Sequence, residues 1–308
     1  MANRERIKHI LNNADKLGLK VMRPKHIQKY IPNAFEYRVF VNLFDKEVQG
    51  IGIDFDENIA FLKAFSEAIE RAYCLKFQIS GSAVAAHWSK EDAFSNAKDE
   101  LIERDAFLTK YLLGKVAKSI LTNSLVDEIN LLLNGKAKIE LFDISSVEGI
   151  YSYLVVGKIK TGGIVVGLGT SKDKDEAIQK AIFESVSRIS YFLDYGVSSS
   201  TDKEDNLLEN IQSNDFLNSN FYLRSKKNKE TNSNLEKLKD NITFEVIGDL
   251  RKIVPELNII VVQATSPSYQ GMYKGKIIES VINFERLEKL SNSHVYYESL
   301  EQRLHPVG

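Results

Sequence analysis

The sequence predicts an α/β protein, and three observations carry that expectation. Segments 57–79, 90–113 and 174–195 keep a helical apolar period over many turns. Runs 37–44, 136–144, 150–160, 164–169, 242–247 and 258–264 are short, β-branched or aromatic, and read as strands. The chain has 308 residues, 43% hydrophobic and 27% charged, which fits a soluble globular protein of about one or two domains with a real core.

Taken in order, residues 4–18 form an amphipathic pattern on Ile7, Ile10, Leu11, Ala14 and Leu17, with Gly18 as its stop. Pro24 and Pro32 punctuate a connection to the strand at 37–44. Gly50-Ile51-Gly52 reads as a flexible junction before the first long helix. The small residues of 80–86 read as a tight turn or a place where backbone approaches a ligand. Ser89 is placed to cap the second long helix, with Glu91 and Asp92 in its first turn. Strands 136–144 and 150–160 pair around a turn near Ser146. Asp173 and Glu176 have the spacing of a capping box before the third helix. Residues 197–240 are polar and weakly periodic, as a solvated loop with short helices or a mobile insertion would be. Pro255 separates the last two strands, and 277–284 is a further apolar run.

Lysine and arginine total 41 against 42 acids, so no basic excess points to nucleic acid or an anionic membrane. No apolar run has membrane-spanning length and no apolar signal core opens the chain, so a cytoplasmic location is expected. Cys74 is the single cysteine, which rules out an internal disulfide and reads as a small core residue. The five histidines lack zinc-hydrolase spacing. Gly167-Leu168-Gly169 lacks the third glycine of a dinucleotide fingerprint.

One word occurs twice. Glu67-Ala68-Ile69-Glu70-Arg71 and Glu100-Leu101-Ile102-Glu103-Arg104 are both E-x-x-E-R within long helical patterns. Residues i, i+3 and i+4 share a helix face, so each word presents two carboxylates and a guanidinium together. Clustered carboxylates require cations, hard oxygen donors suit Mg²⁺, and the planar arginine fork suits phosphate. The chemistry is that of a Mg-nucleotide site built from helix side chains. A plainer reading makes these salt-bridged surface helices, with their glutamates dispersed and exposed.

The ordered motifs resemble the YcaO family. They are Gly-x-Gly before E-A-I-E-R, the small-residue stretch 81–87 before E-L-I-E-R-D-A, and a strand ending in glycine before a helix with Glu184 and Arg188. The match is strong from about 50 to 195. The resemblance implies an α/β YcaO-like fold with mixed sheets, long helices and an ATP/Mg²⁺ site without a P-loop. It implies one catalytic domain over 1–308, with a polar insertion or lid-like segment at about 197–240. Glu67, Glu70, Glu100 and Glu103 resemble magnesium ligands, and Arg71 and Arg104 the catalytic phosphate contacts. Lys63, Asp92, Asn96, Glu184 and Arg188 fall at nucleotide-binding positions.

Three departures accompany the match. Lys63 stands where the family usually has serine. Asp92 and Asn96 are each a methylene shorter than the glutamate and glutamine of some members. The tail Leu304-His305-Pro306-Val307-Gly308 keeps one proline of the azoline branch's three. The resemblance implies an ATP-dependent cyclodehydratase that phosphorylates a peptide amide oxygen to form thiazoline or oxazoline. The expected partners are a precursor peptide and a leader-peptide-binding protein, E1-like or ocin-ThiF-like, with a homodimer or larger complex possible. Thioamide or amidine formation by the same nucleotide site, and an inactive scaffold, are the alternatives.

Overall fold

The computed structural model describes residues 3–79, 82–195, 216–228, 235–238, 241–273 and 277–303. In chain order these are α1 (Asn3–Asn12), α2 (Ala14–Leu17), β1 (Lys20–Met22), β2 (Phe35–Leu43), β3 (Lys46–Asp54), α3 (Glu57–Phe77), β4 (Val84–His87) and α4 (Lys90–Leu112). Then come β5 (Lys118–Ile120), α5 (Ser124–Leu133), β6 (Ala137–Asp143), β7 (Tyr151–Ile159), β8 (Ile164–Ser171) and α6 (Lys174–Tyr195). The last are α7 (Asn220–Ser225), β9 (Thr243–Asp249), β10 (Ile260–Thr265) and α8 (Phe284–Ser291), with short 3₁₀ turns between. The chain divides into two compact units, 1–101 with 242–266, and 102–241 with 267–308.

In the first unit, β1-β2-β3 form one antiparallel sheet and β4-β10-β9 another. The Asp56 carboxylate caps α3 by accepting from the Asn58 and Ile59 N–H groups, and Gln78 ends it in the left-handed conformation. Ile10, Leu17, Val39, Phe65, Ile69 and Val261 fill the core. The residues expected to form a flexible junction, Gly50-Ile51-Gly52, instead lie inside β3. A Cβ on Gly50 would sit 2.1 Å from the Ala64 carbonyl oxygen, and one on Gly52 2.0 Å from that of Ala60. These glycines are there because α3 lies directly on the strand backbone. Of the stretch 80–86, expected as a tight turn or a place where backbone approaches a ligand, residues 84–86 instead join His87 in a strand paired to β10; Ser80 and Gly81 lie outside the described residues.

In the second unit, β5-β6-β7-β8 make one antiparallel sheet. The only parallel pairing among the described residues is the isolated bridge of Val147 with Glu236. Phe107 and Tyr111 of α4 pack with Phe142, Leu154, Phe216 and Phe221. The described part of the polar segment therefore contributes to the core: Phe216, Phe221 and Tyr222 are buried there. Residues 196–215, 229–234 and 239–240, which hold most of the expected insertion, lie outside the described residues, as does the tail 304–308.

The two units repeat one arrangement. β2, β3 and α3 form a hairpin followed by a helix; β7, β8 and α6 form the same. A Cβ on Gly167 would meet the Ala181 carbonyl at 2.1 Å, and one on Gly169 that of Ala177 at 2.2 Å. Gly50 and Gly167, Gly52 and Gly169, Glu67 and Glu184, and Arg71 and Arg188 are all separated by the same interval.

Candidate functional site

Each hairpin–helix unit carries one Glu/Arg pair built the same way. On α3, the Glu67 carboxylate accepts the Ile51 N–H at 2.6 Å, and Arg71 pairs with it at 2.6 Å while donating to the Gln49 carbonyl at 2.8 Å. On α6, Glu184 accepts the Leu168 N–H at 2.7 Å, and Arg188 pairs with it at 2.8 Å while donating to the Val166 carbonyl at 3.0 Å. At its two glycines each strand has no side chain facing the helix, so the helix lies close enough to supply polar groups to the strand backbone. The carboxylates are thereby held in fixed rotamers.

Glu70, one turn after Glu67, accepts the Ala86 N–H of β4 at 2.7 Å. Burial pushes its carboxyl well above the ordinary range, the Ala86 N–H opposes this, and the charges of Glu100 and Glu67 push it further up. Glu70 thus feels the charge of both Glu67 and Glu100, and none of the three is exposed. That disagrees with the dispersed, exposed glutamates of surface helices, while the Glu67–Arg71 pair is the i,i+4 salt bridge such helices also carry. Cys74 is buried in the same region; burial and then the charges of Glu70 and Glu100 push its thiol up to about 11, so it is a protonated core residue at neutral pH.

Asp92 lies at the start of α4. It accepts from the Ser89 hydroxyl at 2.6 Å and stands 3.2 Å from His87 Nδ1, while Ser89 accepts the Asp92 N–H and caps the helix as its position predicts. Burial lowers the His87 pKa, Asp92 counters that, and Arg6 adds to it. Asn96, one turn on, is exposed. Lys63 is exposed and binds Asp54 at 2.6 Å. Glu100 and Glu103 lie one turn apart on α4, and Glu103 and Arg104 are both mostly buried. Lys63, Glu67, Glu70, Arg71, Asp92, Asn96 and Glu100 belong to the first unit; Glu103, Arg104, Glu184 and Arg188 belong to the second.

The donor set is all oxygen and carries excess negative charge around a desolvated carboxyl, which fits a hard divalent cation. Among the described residues, no three acidic, histidine or cysteine groups stand close enough to hold a metal ion as a protein cage. Mg²⁺ commonly takes one or two carboxylates and completes its shell with phosphate and water. Sequence reasoning missed the backbone groups in this arrangement, the N–H groups of Ile51, Ala86 and Leu168. The signal that could have found those of Ile51 and Leu168 is the constant interval between the two Gly-x-Gly and Glu-x-x-x-Arg sets.

Residues 76–274 match the family model of YcaO cyclodehydratases, described as ATP- and Mg²⁺-binding. That span takes in Asp92 to Arg104 and the Glu184/Arg188 pair; Glu67, Glu70 and Arg71 precede it. No curated protein matches the chain. A solved YcaO from Methanopyrus kandleri, bound with AMPPCP and Mg²⁺, is similar at a TM-score of 0.62 and 14% identity, over 86% of this chain and 90% of that one. A heterocyclase in complex with substrate and cofactor is similar at 0.70 and 11% identity, over 98% of this chain but only 57% of the other. This chain therefore spans little more than half of that heterocyclase. The microcin synthetase McbBCD complex of E. coli gives 0.51 and 19% identity, over 88% and 72%. At such identities the structural likeness is one of fold. No helix among the described residues is long and apolar enough to cross a membrane.

Proposed function

The chain belongs to the YcaO family of ATP- and Mg²⁺-binding proteins, and from that premise we propose that it is an ATP-dependent cyclodehydratase acting on a ribosomally made precursor peptide. A Cys, Ser or Thr side chain of the peptide attacks the preceding amide carbonyl, and loss of the amide oxygen gives a thiazoline or oxazoline. Bound MgATP supplies the phosphoryl group that turns that oxygen into a leaving group. The observation that carries the reading is the Glu70 carboxyl, desolvated beside Glu67 and Glu100 and backed by a backbone N–H. A carboxyl desolvated beside two others is offset either by a proton or by a cation, and a bound Mg²⁺ is the cation the family supplies.

In this reading Glu67, Glu70, Glu100 and Glu103 hold Mg²⁺, and Lys63, Asp92, Asn96, Glu184 and Arg188 line the nucleotide. Arg71 and Arg104 neutralise charge on the transferring group. The residues' work is positioning and charge neutralisation. A separate leader-peptide-binding partner delivers the substrate. A fold shared with a heterocyclase and with a multi-protein microcin synthetase supports both the ring-forming branch and the partner.

The test is calorimetry with MgATP on the wild type, Glu67→Gln and Glu100→Gln, followed by mass spectrometry of a candidate precursor. Binding by the wild type that EDTA or either substitution abolishes is expected, with loss of one water per ring. Exchange of oxygen for sulfur would assign the thioamide branch instead. A wild type that binds no MgATP with its partner present would leave an inactive scaffold.

A further inference from the structure

Arg286, on α8, has a side chain with no exposed surface, and Asp105 on α4 has none either. The two are joined as a fork: Nε to Oδ1 at 3.1 Å and Nη2 to Oδ2 at 2.7 Å. The third donor edge of Arg286 goes to Glu236, whose backbone bridges Ser146 and Glu148. Asp105 also accepts the Gln270 N–H at 2.8 Å, and the Gln270 side chain in turn bonds Gly271, Val281 and Asn283. Asn283 caps the helix that carries Arg286. Each of the three guanidinium nitrogens donates to a carboxylate, and Asp105 ties α4 to the second unit's C-terminal segment, which α4 also meets at Tyr111 and Leu112.

Buried ion pairs are poor stabilisers: packed apolar side chains of similar volume commonly do as well or better. What a bidentate pair supplies that apolar contact does not is a fixed angle and height. Asp105 immediately follows Arg104 and is two residues from Glu103 on the same helix. A turn of α4 by about 10° would swing a side-chain head about 6 Å from its axis through about 1 Å, and a misplacement of that size is costly in a phosphoryl-transfer site.

We infer that Asp105 and Arg286 form a positioning pair that sets the rotation of α4 and so aims Arg104 at the nucleotide phosphates. The inference rests on the nucleotide reading above. It makes Arg286 a determinant of nucleotide binding that touches no nucleotide.

The experiment is MgATP calorimetry, below the unfolding midpoint of every variant, on the wild type, Asp105→Asn, Arg286→Lys, Arg104→Gln and the two doubles that combine Arg104→Gln with each of the others. Asp105→Asn and Arg286→Lys should each weaken binding by about tenfold when Arg104 is present and less than about twofold when it is replaced. A merely structural pair gives equal losses in both backgrounds, or none in the folded protein; either result overturns the inference and leaves the nucleotide site standing. No binding by the wild type overturns the nucleotide reading and this inference with it. Arg286→Lys keeps a cation opposite Asp105 and carries the comparison if Asp105→Asn fails to fold.

Discussion

The Glu67 carboxylate accepts the backbone N–H of Ile51 at 2.6 Å, so a residue proposed to hold metal also braces the strand beneath it. The two duties separate by substitution. Glu67→Gln keeps an acceptor for Ile51 and should change stability by less than about 1 kcal/mol while abolishing MgATP binding. Glu67→Ala strands the N–H and should cost about 1–3 kcal/mol in urea unfolding as well. Equal destabilisation by the two would show that the charge, and not the acceptor, braces the strand.

The glycines of β3 and β8 admit no side chain. A methyl on Gly50 or Gly167 would meet helix backbone at 2.1 Å in either case, and backbone cannot step aside as a side chain can. Gly50→Ala and Gly167→Ala should each cost more than about 3 kcal/mol, visible as a collapse of the thermal midpoint or of soluble yield. Gly271 faces open space, and Gly271→Ala should lie within about 0.5 kcal/mol of wild type.

Acid stability has a traceable contributor at Glu140. Burial pushes its carboxyl up, but the Tyr222 hydroxyl at 2.5 Å and the Lys158 ammonium at 3.2 Å together bring it below the ordinary range. A carboxyl depressed by folding adds stability above its unfolded value, near about 4.3, and that contribution fades as pH falls through the folded value. Glu140→Gln should therefore be about 1 kcal/mol less stable than wild type at pH 7. The gap should narrow below about pH 4. A gap that does not change with pH would contradict the assignment.

Lys63 and Asp54 make an exposed pair, worth little to the fold. Lys63→Ser should leave the unfolding free energy within about 0.5 kcal/mol of wild type. If the lysine contacts phosphate, the same change should weaken MgATP by roughly fivefold in calorimetry, about 1 kcal/mol. Unchanged affinity would place Lys63 in solvent.

Much of this was legible from residue order. The expected helix 57–79 is Glu57–Phe77, because its apolar face and the Asp56 cap are local signals. The Asp173 cap is also present: Asp173 accepts the Glu176 N–H at 2.9 Å. The Gly-x-Gly of β3 was misread because a glycine that turns a chain and a glycine that admits a helix look alike until the helix is in place. The alanines of β4 look like a turn until β10, far along the chain, pairs with them. The helix Ser124–Leu133 is not evident from residue order, nor is the role of Asp105, whose partner lies 181 positions away. Local chemistry was readable; the meaning of a residue fixed by a distant partner was not.

The repeated hairpin–helix has an evolutionary consequence. Where the first copy has Glu70, the matching position of the second is Ser187, three residues after Glu184 in the same way. An assembly of identical subunits must carry every innovation in all its members. Two copies in one polypeptide escape that constraint. One can carry an extra carboxylate where its sibling has a hydroxyl, while both keep the Glu/Arg brace on the adjoining strand.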